Sequence, residues 1–149
     1  MKEILKIGFV GTAISPYYAE EQEVRKNSET QLKKLLQNYD VELISFHKTI
    51  FSKEESIEAE KFLKNKVDFL LIQTSSCSSG EQLYPLCNIS SKIGVWAVPD
   101  IEKEGDVRLH SLVSTSHYLG IIKKTLSDRK IKTKWFYNYA NTDEFKNKF

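Results

Sequence analysis

Short apolar runs alternate with longer stretches of mixed polarity along the whole chain. Ile4 to Thr12, ILKIGFVGT, reads as a buried strand ending in small residues. Pro16 then opens a charged helix through about Tyr39, with Val24, Leu32, Leu35 and Leu36 facing inward. Val41 to His47 is a second strand, and the Ser52/Glu55 spacing starts a helix that carries Ile57, Phe62 and Leu63. Val67 to Thr74 is apolar almost throughout, interrupted by Asp68, as suits a central strand of a parallel sheet covered on both faces. The next helix sets Leu83, Leu86 and Cys87 on one face, with Pro85 in or near its first turn. Ile93 to Pro99 is a fourth strand. A polar loop leads to a helix from about His110 to Asp128, and Thr133 to Ala140 is the last strand.

Strict alternation of this kind specifies an open parallel sheet with right-handed crossovers. With five strands, the expected architecture is a three-layer, flavodoxin-like (Rossmann-like) α/β domain over residues 1–149, strand order 2-1-3-4-5. Such sheets bind ligands beyond the carboxyl ends of their strands. That edge collects Thr12 to Tyr17, His47 to Ile50, Thr74 to Gly80 and Pro99 to Ser111.

Composition narrows the function without naming it. The 149 residues are enough for a real core. A net charge of +2 does not by itself imply a polyanionic partner. The Lys/Arg and aromatic residues of KKTLSDRKIKTKWFYNYA suit a solvated basic edge better than a nucleic-acid surface. No apolar run reaches the length of a membrane span and no leader pattern is visible, so the expectation is a cytoplasmic protein that binds neither membrane nor nucleic acid. Cys77 and Cys87 read as free thiols without zinc spacing, and His110 and His117 are too far apart along a helix to share one ion.

The most distinctive stretch is TSSCSSG, Thr74 to Gly80, between a strand and a helix. It is not a Gly-x-Ser-x-Gly elbow, it lacks the Walker lysine, and the first strand-to-helix loop lacks the dinucleotide glycines. FMN is also a poor fit, because that first loop carries Pro16, Tyr17 and Tyr18. A Cys77–His110 pair at a helix start would make a small thiol enzyme. The bland alternative is that Ser79 caps the helix while the other hydroxyls bond nearby backbone, and locally it is the stronger reading.

Three longer runs, DFLLIQTSSCSSGEQL, IGVWAVPDIEKEGDVRLHSLVSTSHYLGIIKKTL and KTKWFYNYANTDEF, together resemble the N-terminal domain of the L-fucose/L-arabinose isomerase family. The departures are His110 where the family often has Asn, Ser114 where it often has Gly, and Asn138 for a common Gly, although Asn also tolerates positive φ. The resemblance implies a domain that is non-catalytic alone. It would complete a sugar or polar-metabolite pocket with a metal-binding partner subunit, or within a homo-oligomer, for aldose–ketose isomerisation. A divalent, Mn-like metal is expected only in that partner, with no cofactor in this chain. By position, the residues facing ligand or interface are Ser15 and Tyr17, then Ser76, Cys77 and Ser78, and from the fourth crossover Trp96, Arg108, His110 and Ser111. Trp96 is equally suited to the core and Arg108 to plain surface. The rival reading is a regulatory or assembly module that kept the fold without sugar chemistry.

Overall fold

The computed structural model describes residues 4–14, 18–100 and 108–149. Its elements are β1 (Leu5–Thr12), α1 (Tyr18–Leu36), β2 (Val41–Ile50), α2 (Lys53–Leu63), β3 (Phe69–Thr74), α3 (Gly80–Leu86), β4 (Lys92–Ala97), α4 (Ser111–Lys124), a 3-10 turn (Ser127–Arg129), β5 (Lys132–Tyr137) and α5 (Asp143–Lys148). All neighbouring strands pair in parallel, in the order β2-β1-β3-β4-β5. The flavodoxin-like arrangement expected from the alternation is therefore the observed one.

The near-continuous apolar character of β3 follows from a core on each face of the sheet. Leu70 and Ile72 pack with Val10, Phe46, Leu83 and Tyr118 on one side. Leu71 packs with Phe9, Leu32, Trp96 and Phe136 on the other. Asp68 interrupts the run just before β3, where its carboxylate accepts the Lys6 backbone N–H at 2.8 Å. Two glycines are needed for close packing. A Cβ on Gly94 would lie 2.6 Å from Phe69 Cζ, and one on Gly11 would lie 2.6 Å from Arg25 Cγ.

Several boundaries differ from the expectation. β2 continues three residues past His47 to Ile50, because a bulge lets Phe9 pair with Ser45 and Gly11 with Thr49. In α2 the buried stripe is Ser56, Ala59 and Leu63, whereas Ile57 and Phe62 are exposed at 36% and 40%. Pro85 lies in the last turn of α3, not the first, and the helix ends one residue later. α4 stops at Lys124, and the chain to Asp128 continues as the 3-10 turn. The periodic pattern gives no sign of α5, which at six residues is too short to show one. Pro16, expected to open α1, lies outside the described residues.

Candidate functional site at the carboxyl edge of the sheet

β1 and β3 both end in threonine, and the serine loop after β3 is laced to them and to α4 by hydroxyls. Thr74 Oγ1 donates to Ser111 O at 2.8 Å and lies 2.8 Å from Thr115 Oγ1. The Ser111 hydroxyl donates to Thr74 O and accepts from Val98 N at 3.0 Å. Ser78 N donates to Ser114 Oγ at 2.6 Å, and Ser78 Oγ lies 3.1 Å from Thr12 Oγ1. Ser76 Oγ accepts the Ile14 N–H at 3.1 Å. Gln82 completes the lattice: its Nε2 donates to Ala13 O at 2.8 Å, and its Oε1 accepts from Ser79 N at 3.0 Å. The Tyr118 hydroxyl sits beside these groups and reaches Gln82 Oε1 at 3.4 Å. Burial pushes the Tyr118 phenol above its usual range, against the opposing bonds to Thr12 and Ser78.

This network sorts the expected site residues. Ser76, Ser78 and Ser111 come together at the predicted edge, but all three are buried and their hydroxyls bond within the fold. Cys77, Arg108 and His110 are exposed on the same rim. The Cys77 N–H donates to Leu109 O at 2.7 Å, which sets the serine loop directly against the start of α4. No hydrogen bond joins the Cys77 thiol to the His110 ring among the described residues. His110 itself adopts φ 59°, and Asn138 adopts φ 97°, so both positions need the left-handed conformation that favours Gly or Asn. The His110 N–H is held by Asp100 Oδ1 at 3.0 Å.

Trp96 is corrected to the core. It is fully buried, its ring lies 4.8 Å from Phe145 and 6.2 Å from Phe9, and its Nε1 donates to Asn138 O at 2.7 Å. No face of the indole is open to a ligand. Ser15 and Tyr17 lie outside the described residues.

The sequence reading singled out Ser111 without the stripe to which it belongs, and it passed over Gln82 and an apolar rim. Ser111, Ser114 and Thr115 form a buried hydroxyl stripe at i, i+3 and i+4 on α4, a spacing visible in the sequence. Gln82 had a local signal, the Ser79-x-x-Gln82 capping-box spacing, and its Oε1 accepts the Ser79 N–H as that spacing implies. On the rim, Ile14 (38% exposed), Leu112 (46%) and Val113 (56%) are apolar side chains left in solvent on both sides of the serine loop.

Two clefts border this edge. One, of about 600 Å³, lies where β2 ends and is lined by Arg25, Lys26, Glu29, His47, Lys48 and neighbours. Its charge is largely self-neutralised: Arg25 pairs with Glu29 at 3.2 Å, and Lys48 pairs with Glu55 at 3.2 Å and Glu58 at 3.0 Å. The other, of about 330 Å³, lies between α1 and the ends of β4 and β5. Among the described residues no group of three or more His, Cys, Asp or Glu side chains is arranged to hold a metal ion. No described helix is long and apolar enough to cross a membrane. No protein-family model matches the chain, and no curated protein matches it.

Proposed function

We propose that the chain is an accessory domain, non-catalytic alone, whose serine-loop edge docks on a metal-binding partner subunit and closes one side of that partner's polar-metabolite pocket. The observation that carries the reading is the pairing of a rigid loop with an apolar rim. The hydroxyls of Ser76, Ser78 and Ser111 are turned inward and fix the loop. Ile14, Leu112 and Val113 meanwhile stay exposed at the same edge, as do Cys77, Arg108 and His110. A rim of this composition, presented by a pre-organised edge, suits burial against another protein. The resemblance to isomerase N-terminal domains supplies the class of chemistry: aldose–ketose interconversion at a divalent metal held by the partner, in the cytoplasm.

The inward hydroxyls also favour the second reading, an assembly module without sugar contacts, because they leave Cys77, Arg108 and His110 as the polar groups able to reach a ligand. The test is purification of the intact complex from the native host, with its metal content and isomerase activity measured. Leu112→Lys with Val113→Lys is expected to leave the chain folded and abolish assembly. His110→Ala is expected to keep assembly and lower activity. A complex that assembles and turns over normally with His110→Ala supports the module instead. Recovery of the chain alone sinks both.

A further inference from the structure

Beside the apolar stripe by which α1 packs on the sheet, Val24, Leu32 and Leu36, runs a more polar flank. Val24, Asn27, Ser28, Gln31 and Lys34 recur at helical spacing and line the cleft between α1 and the carboxyl ends of β4 and β5. Ser28 is 3% exposed, and the Gln31 Oε1 is buried without a hydrogen-bond partner. A buried amide oxygen left unsatisfied costs roughly 1–3 kcal/mol. Gln31 lines the cleft, and a donor entering there would satisfy that oxygen once the amide turns about its broad terminal torsion.

The rest of the cleft defines the class of that donor. Asn27 and Ser28 add a neutral amide and a hydroxyl on the α1 side, Thr30 adds a hydroxyl oxygen whose hydrogen goes to Lys26 O at 2.9 Å, and Val24 with Val98 contributes apolar surface. Opposite stand Pro99 and the half-exposed Tyr139 ring. The Tyr139 backbone is fixed, since its N–H donates to Asn138 Oδ1 at 2.9 Å and its carbonyl accepts from Thr142 Oγ1 at 2.7 Å. Among the described lining residues, Lys34 is the one with a charged side chain. Neutral groups that both donate and accept, set against a ring face, match hydroxyls on one side of a ligand and C–H groups on the other. The volume of about 330 Å³ is at the small end for ligand clefts.

We propose that this cleft binds a small neutral polyhydroxylated molecule, of monosaccharide or alditol size, on this chain alone. The site is distinct from the serine-loop rim and needs no partner, so it stands or falls separately from the docking reading. The test is amide-shift titration of the isotopically labelled full chain with xylose, glucose and sorbitol, alongside glucose 6-phosphate and adenosine. At least one neutral polyol is expected to give saturable shifts at the amides of Asn27 to Gln31 and of Tyr139. Gln31→Leu and Tyr139→Ala should each weaken that binding about tenfold, the equivalent of one net hydrogen bond. Asn27→Ala, an exposed position that does not threaten folding, should weaken it as well. The proposal is overturned if no neutral polyol gives saturable shifts at these amides, or if the shifts survive all three substitutions. Preference for adenosine or glucose 6-phosphate at these amides would overturn it equally.

Discussion

The Ser111 hydroxyl makes two bonds that no apolar side chain can replace, giving its hydrogen to Thr74 O and receiving the Val98 N–H. Ser111→Ala leaves both buried groups unpaired and should cost about 1–3 kcal/mol. A lower urea midpoint at unchanged slope is the expected result; an unchanged midpoint would mean the network contributes little. The two thiols separate just as sharply. Cys77 is exposed and Cys87 buried, so a thiol reagent should titrate one cysteine in the native protein and two after unfolding. Burial pushes the Cys87 thiol up from 9.0 to about 12. Between those values the folded chain keeps a proton on Cys87 that the unfolded chain has released, so this thiol leaves stability unchanged below pH 9 and lowers it as pH rises toward 12. Denaturation midpoints measured across that range should decline, less steeply in Cys87→Ala. The sequence placed Ser76, Ser78 and Ser111 at the right edge but not their direction. Loop residues follow no fixed period, and the partners that turn these hydroxyls inward, Ile14 N for Ser76, Thr12 for Ser78 and Val98 N for Ser111, are distant in sequence.

Among the elements, α2 shows which signals are local. Ser52 Oγ accepts the Glu55 N–H at 3.2 Å, as the spacing of the two residues predicts, while the Glu55 carboxylate takes Phe51 N at 2.6 Å instead of the Ser52 N–H. Ser52→Ala should therefore cost about 1 kcal/mol by loss of the cap, read from thermal or urea unfolding. The face of α2 was harder to read. Ala59 and Ser56 pack inward because α2 lies close to its neighbours, which leaves the larger Ile57 and Phe62 outside. α5 was invisible for the opposite reason. Its order comes from tertiary packing, with Phe145 and Phe149 stacked on each other and both against Phe136. Gly94 belongs to the same aromatic layer, and Gly94→Ala, pressing a methyl onto Phe69 and Phe136, should destabilise by about 1–3 kcal/mol.

At the scale of the molecule, the topology was legible because alternating strands and helices with short connections leave few ways to build a sheet. The carboxyl edge followed from the topology. What the edge does was not legible, because recognition depends on which side chains remain exposed once the internal bonds are made. Ile14, Leu112 and Val113 stand out only after Ser76, Ser78 and Ser114 have been turned inward. The proposed docking makes this chain work through a partner. Its most direct test is the aldose–ketose isomerase activity of the complex purified from the native host, measured before this chain is stripped away, after stripping, and after it is added back. Under the proposed docking, activity is expected in the complex, with loss on stripping, recovery on re-addition, and none from the chain alone. Full activity of the stripped partner, or turnover by the isolated chain, would contradict it.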